Sequence, residues 1–380
     1  SGDSRCSSCC WPWRIGSAIE NVLGPDATSA ADACPDGGAN VKRALLVGAG
    51  NMGRVWATKL RDTPDVELVS WVDQRGDVAQ KAANDLALVD LHLDTDLGRA
   101  TTKTQPDFVV DVTVPAAHYS VTIQALRAGI PVLGEKPMAE TMAQAREMVT
   151  ESINTGVLYV VSQNRRYNSQ LGAFRQLISD QTGPLAILNS DFYIGAREKG
   201  HRLEIANPLL LDMAIHAFDM ARYLSGADPV TVYCEEFNPP WSWYRGNASA
   251  SALFEMSDGL RYNYRGSWCS EGRHTSWDSE WRAVGPNGSA TWEGAETPPV
   301  ADTVIERGGF LPVTEERRAA PLAGESGIAA SLRDFLQALD TGVPPMGVCH
   351  DNIKSLAMVF GAIESAKTGK RVSCRLWCDE

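Results

Sequence analysis

The six residues Gly48-Ala49-Gly50-Asn51-Met52-Gly53 constrain the fold more than any other feature of the chain. The apolar run Ala44-Leu45-Leu46-Val47 precedes them, and a helical pattern follows to about Leu60. A short, fully apolar run ending in glycines reads as a buried parallel strand feeding a helix. In that setting the first glycine makes a tight turn, the second lets backbone approach a pyrophosphate, and the third lets helix pack closely on strand. The free N–H groups and the dipole at the helix start favour phosphate. Asp73 stands 20 residues after Gly53, at the end of the next strand-like run, where a carboxylate accepts from ribose hydroxyls. Glycine spacing, strand context and acid together point to a dinucleotide-binding unit. Asp73 favours NAD, because a carboxylate repels the extra 2′-phosphate of NADP. Arg75, two residues on, could stack on adenine or pair with that phosphate, so NADP stays open.

The same alternation continues downstream. Strand-like runs at Val66–Val72, Phe108–Val114, Ile130–Leu133 and Val157–Val161 are separated by helical patterns, including 139–154. Strands alternating with helices form βαβ units and a parallel sheet. Beyond about residue 164 the texture becomes half-exposed strands separated by turn residues such as Gly285-Pro286-Asn287-Gly288, with helices returning at 325–340 and 351–367. The expected architecture is α/β: a Rossmann dinucleotide-binding domain over 41–163, then an α/β domain with an open-faced, mostly antiparallel sheet over 164–380. At 380 residues both can have a core. Residues 1–40 read as a leader outside the fold, without a secretory signal. The net charge of −12 argues against nucleic acid or an anionic membrane as the main partner, and no apolar run is long enough to span a bilayer. A cytoplasmic location is the expectation. Cys6 and Cys9 with Cys374 and Cys378 could supply four thiolates to zinc. Neither pair has a knuckle turn, so the reading is no metal, an unstructured leader and a frayed end.

Chemistry-bearing residues gather at the ends of the later strands, where ligands of open α/β sheets bind. Thr113 and Pro115 end one strand, with His118 shortly after; Glu135-Lys136-Pro137 ends the next. All six are candidate cofactor contacts, with Asn51 and Met52 of the glycine turn. Further on, Asn207 and Pro208 suit a helix N-cap and first position, and Gly226 suits its end. Within that helix Asp212 and His216 are four apart, hence on one face. A carboxylate one turn from an imidazole can orient it and raise its pKa, suiting proton transfer. Asp219 is the less certain partner. Arg165, Arg166, Tyr167 and Arg202 flank these motifs and are candidate substrate contacts, since arginines recognise dense hydroxyls or carboxylates. Trp241, Trp243, Trp268, Trp277 and Trp281 could stack on sugar rings but suit core or interface better, and His274 reads as a loop residue.

In its GAGNMG, EKP and DMAIHAFD segments, in that order, the chain resembles the glucose–fructose oxidoreductase / inositol dehydrogenase / MocA family over about residues 42–375. The resemblance implies a nicotinamide-dependent oxidoreductase acting on a carbinol carbon of a sugar, polyol or cyclitol, often a homodimer or homotetramer built through the sheet domain. It implies that Lys136 contacts substrate hydroxyl and nicotinamide, Asp212 holds substrate, and His216 is the acid/base. Asn207-Pro208-Leu209 stands where such families often carry glycines, which leaves substrate identity open. A glycoside-cleaving enzyme using transient oxidation and elimination would need the same Lys136 and His216. A non-enzymatic sensor would be expected to lack them.

Overall fold

The computed structural model describes residues 41–197 and 200–375. Its first sheet holds six strands, β1 (Lys42–Val47), β2 (Val66–Val72), β3 (His92–Asp94), β4 (Phe108–Asp111), β5 (Val132–Gly134) and β6 (Tyr159–Val161). Helices α1 (Asn51–Arg61), α2 (Gly76–Asp85), α3 (Leu97–Thr104), α4 (Pro115–Arg127) and α5 (Met142–Thr155) connect them. All pairings are parallel, in the order β3-β2-β1-β4-β5-β6. The order reverses between β1 and β4, and that switch point opens a crevice beyond the carboxyl ends of the strands. The central strands are buried on both faces, which is why they read as continuous apolar runs. The expected strand at Phe108–Val114 stops early: Asp111 Oδ1 accepts from both the backbone N–H (3.1 Å) and the hydroxyl (2.7 Å) of Thr113, curling the chain into a turn.

The chain then forms α6 (Ser169–Gln181), β7 (Ile187–Tyr193), α7 (Ile215–Ser225), β8 (Pro229–Phe237), β9 (Ser249–Met256), β10 (Arg261–Ser267), β11 (Glu280–Gly285) and β12 (Gly288–Trp292). It continues through β13 (Val300–Glu306), β14 (Val313–Arg318), α8 (Gly327–Thr341), α9 (Cys349–Thr368) and β15 (Val372–Ser373). Nine strands make the second sheet, ordered β14-β13-β12-β11-β7-β10-β9-β8-β15 and antiparallel except between β7 and β10. One face packs on α6, α7 and α9: Phe218 of α7 meets Phe254 and Tyr264 edge-on, with ring centroids 4.8 and 5.2 Å apart. The opposite face is open and polar, as in the Arg265–Asp191 pair. Trp268, Trp281 and Trp292 are buried core residues, whereas Trp241 and Trp277 are exposed.

Three features differ from the sequence reading. Strand β3 and the β13–β14 hairpin carry no apolar periodicity and were not expected. Cys374 is no frayed end: it is buried, its N–H donates to Val230 O at 2.9 Å, and its Sγ lies against Gly361 of α9. Cys6, Cys9, Cys10, Cys34 and Cys378 lie outside the described residues. Helix α8, late in the chain, returns to the first sheet, where Leu332, Phe335 and Leu336 join Ala44, Leu46, Phe108 and Val110 in one core. Phe335 meets Phe108 edge-on at 5.5 Å. No helix among the described residues is long and apolar enough to cross a membrane.

Candidate active site

The three glycines of the turn after β1 behave differently. Gly48 has φ +101°, and a Cβ there would lie 2.7 Å from the Val112 carbonyl oxygen. A Cβ on Gly53 would lie 2.1 Å from the carbonyl oxygen of Gly48, so this residue closes helix onto strand. A Cβ on Gly50 would meet nothing within 4 Å. Gly50 is also the N-cap of α1, and neither a capping side chain nor an acid in the first turn competes for its free N–H groups. That is the cradle a pyrophosphate needs. Asn51 and Met52, exposed, open the helix beside it. Asp73 stands at its rim, with Oδ2 accepting from Ala49 N–H (2.7 Å) and Oδ1 from Arg75 N–H (2.9 Å). The Arg75 side chain is exposed, with Nε 3.9 Å from the same carboxylate.

Past β4 and β5 the structure divides the expected cofactor contacts. Pro115 starts α4, and the Lys136–Pro137 peptide is cis. His118 and Glu135, by contrast, point inward. His118 Nδ1 lies 3.0 Å from Asp111 Oδ2 in a buried pair. Burial pulls the imidazole pKa down, but Asp111 outweighs it and the net shift is upward. Glu135 is buried and accepts from Trp56 Nε1 (2.8 Å) and from Lys136 N–H (3.2 Å). Burial raises its pKa despite both contacts. His118 is thus held to Asp111, and Glu135 to Trp56 and to the backbone of its neighbour, at the strand ends.

Lys136 crosses from the first sheet to the second domain. Its Nζ donates to Asp212 Oδ1 at 2.7 Å and to the Asp212 carbonyl at 2.9 Å. The other carboxylate oxygen accepts from Arg202 Nε at 2.6 Å. Burial would raise the Asp212 pKa, but Lys136 and Arg202 prevail and hold it below the usual carboxylate value. Asp212 therefore does not pair with His216, contrary to the i,i+4 reading. Residues Leu209–Ala214 form a π-helical turn ahead of α7 with i→i+5 bonding, which changes the register on which that reading relied. His216 is 7% exposed, and its Nδ1 has no partner among the described residues. Burial, then Arg165 and Lys136, drive its pKa well below the ordinary histidine value, so it is neutral at physiological pH.

The remaining candidates separate in the same way. Arg165 lies between Asp278 (Nε–Oδ1 3.8 Å) and the Trp277 carbonyl, and its charge acts on both Asp212 and His216. Arg166 faces away, in a buried bidentate pair with Asp219 at 2.7 Å per bond. Asp219 also accepts from Ser355 of α9. Tyr167 donates to Asp334 of α8 at 2.6 Å. His274 Nε2 accepts from Gly195 N–H in a loop contact. Asn207 does not cap the helix through its side chain, which donates instead to Glu236 Oε2 of β8 at 2.6 Å. Gln163 was not singled out from sequence. It is 2% exposed, and neither its amide oxygen nor its nitrogen has a partner among the described residues. Its signal was a polar side chain two residues past the apolar run that ends β6. Orphaned buried polar atoms on Gln163 and His216, in a chain that also carries an open glycine cradle, are what a fold built around a bound polar cofactor would carry.

Residues 42–163 match the model of an oxidoreductase family with an NAD-binding Rossmann fold, and residues 173–291 match the C-terminal domain of the same Gfo/Idh/MocA family. The chain is 27% identical over 346 residues to y4oX of Sinorhizobium fredii, covering 87% of this chain and 95% of that one. It is 25% identical over 358 residues to a D-apiose dehydrogenase of Paraburkholderia graminis, covering 88% and 90%. Its fold matches an oxidoreductase of Agrobacterium radiobacter solved with NAD+, L-tartaric acid and magnesium, with TM-score 0.77, 19% identity and coverage of 88% and 99%. The two matched models span most of both domains, and the chain belongs to the Gfo/Idh/MocA family of NAD-binding oxidoreductases.

Proposed function

We propose that the chain is an NAD-dependent dehydrogenase or reductase of a sugar, polyol or cyclitol, with Lys136, Asp212 and His216 as its reacting centre. The observation that carries this reading is the meeting of Lys136, from the carboxyl end of β5, with Asp212 from the π-turn, 2.7 Å apart, with the buried His216 following at the start of α7. A dinucleotide held by its pyrophosphate at the glycine cradle would supply the hydride acceptor or donor through its nicotinamide. The protein's share is to bind, orient and move a proton. Lys136 lends positive charge to the oxygen of the reacting carbinol, and Asp212 fixes the ammonium and accepts from a neighbouring hydroxyl. His216, already neutral, takes the hydroxyl proton. Relatives named for D-apiose and myo-inositol support the substrate class. The open polar face of the second sheet is the surface through which we expect copies of the chain to assemble.

Lys136→Ala and His216→Ala should each cut turnover by about 10²-fold or more while leaving NAD affinity within a few-fold. Absorbance of NADH and equilibrium titration of NAD measure the two quantities. Undiminished turnover in both variants overturns these roles. Aglycone release from glycosides without NADH accumulation would replace the dehydrogenase reading by elimination chemistry.

A further inference from the structure

Successive side chains past the end of β5 point to opposite faces of the first sheet, and each is held there. Lys136 reaches toward the π-turn, where its Nζ donates to Asp212 Oδ1 at 2.7 Å. Glu135 lies on the other side, the side on which Leu133 and Trp56 share a core. Its Oε1 accepts from Trp56 Nε1 of α1 at 2.8 Å and its Oε2 from the Lys136 N–H at 3.2 Å. Both Trp56 and Glu135 are buried. Burial pushes the Glu135 pKa up. The Trp56 hydrogen bond is the foremost contact holding it down, followed by Lys136, through its charge and its N–H, and by the charge of His118. His118 is itself paired with Asp111.

Trp56 lies less than two turns into α1, the helix whose first N–H groups form the cradle. That helix sits tight on β1, because Gly53 leaves no room for a methyl against the Gly48 carbonyl. A second indole holds the same carbonyl: Trp71 Nε1 of β2 donates to Gly48 O at 2.9 Å. Packing alone asks for neither polar group of the Trp56–Glu135 pair. A buried carboxyl costs free energy unless it is paired, and apolar side chains would fill the same space. What the pair adds is a common reference. The cradle decides where a nicotinamide comes to rest, and Lys136 decides where a carbinol oxygen does. Both are located from one helix. Hydride transfer needs the two in register, and a misplacement of about 1 Å can cost about 10²-fold in rate.

We propose, on the basis of the dehydrogenase reading above, that Trp56 and Glu135 are positioning residues that set the Lys136 ammonium in register with the dinucleotide cradle. Trp56 acts through Glu135, and Glu135 through Lys136. One carboxylate oxygen is held against α1, the other holds the backbone at Lys136, and Asp212 receives the ammonium on the far side. The tie runs both ways, so a pyrophosphate at the start of α1 bears on the Trp56 indole.

The chain has 11 tryptophans, and the Trp56 Nε1–H resonance in protein with isotope-labelled tryptophan is assigned by its loss in Trp56→Phe. NAD should shift that resonance, and so should ADP-ribose, which carries the pyrophosphate without the nicotinamide. Glu135→Gln should move it toward the position of a weaker, uncharged hydrogen bond. Turnover is followed by NADH absorbance with D-apiose, myo-inositol, glucose and glucitol. Trp56→Phe should cut kcat by about 10-fold or more, with KM for NAD within about 3-fold of the parent. It strands a buried carboxyl and should also melt lower. Adding Glu135→Gln to Trp56→Phe removes the stranded charge and should restore much of the melting temperature, while kcat stays low. A kcat that recovers along with the melting temperature would show the pair to be core packing and overturn the proposal. A Trp56 resonance unmoved by saturating NAD would overturn it too, and would spare the dehydrogenase reading if turnover persists. A parent that oxidises none of the four compounds would overturn the dehydrogenase reading, while the resonance still decides the tie between Trp56 and the cradle.

Discussion

One methyl group is enough to separate the tasks of the cradle glycines. At Gly53 a Cβ would sit 2.1 Å from the Gly48 carbonyl oxygen, so Gly53→Ala should force helix α1 off the sheet and lower stability by about 1–3 kcal/mol. At Gly50 a Cβ finds open space. Gly50→Ala should therefore leave the melting temperature within about 1 °C and weaken NAD binding by about tenfold, because the methyl occupies the approach of the pyrophosphate. Thermal denaturation with and without NAD distinguishes the two, and equal effects on both readouts would contradict this division. The glycine turn and the strand ends that carry Asp73 and Lys136 were legible from sequence because local backbone pattern sets them. The partners of Asp212 were not. Helical spacing says which side chains share a face, but the carboxylate is claimed by a lysine 76 residues upstream and an arginine from a preceding turn. Those are tertiary facts, and the π-turn that presents Asp212 leaves no mark in the apolar pattern.

The helix that begins at this turn is held to the second sheet by Asn207 and Glu236. Local capping preference suggested that Asn207 would close the helix on itself, but a half-buried carboxyl on β8 outbids the backbone for its amide. Burial raises the Glu236 pKa to about 7, against weaker lowering by Asn207 and Asn247, while its other oxygen has no partner among the described residues. Between pH 4.5 and 7 the folded chain keeps a proton there that the unfolded chain has released. Folding stability from this group is therefore present at low pH and lost as pH rises through that window. Glu236→Gln, which resembles the protonated carboxyl, should melt higher than the parent at pH 8 and within about 1 °C of it at pH 4.5. Melting curves across pH check this, and an offset independent of pH would show an ordinary carboxylate. The strands of this sheet were readable wherever apolar and polar residues alternate, as in Arg261–Ser267. The β13–β14 hairpin was not, because β14 is exposed along its whole length and owes its form to pairing with β13 alone.

At the scale of the whole molecule, a buried ion network and a returning helix tie distant segments of the chain together. The first is the buried pair of Arg166 with Asp219, extended by Ser355 and by Asp351, which also receives Arg222. Arg166→Met strands the Asp219 charge and should cost about 3–5 kcal/mol of stability, whereas Arg166→Met with Asp219→Leu should recover much of that loss. Urea unfolding of the two variants measures the difference, and equal losses would show that packing rather than charge holds this junction. The second connection is α8. Its residues 327–341 come after the entire nine-stranded sheet, yet Leu332, Phe335 and Leu336 seal one side of the first sheet against Ala44, Leu46, Phe108 and Val110. A gene fragment ending at the last parallel strand would leave that apolar wall wet, however complete it looked on paper. Any chimera that lends this nucleotide module to another catalytic partner must carry Gly327–Thr341 along with it, and the two halves are bound to be inherited together.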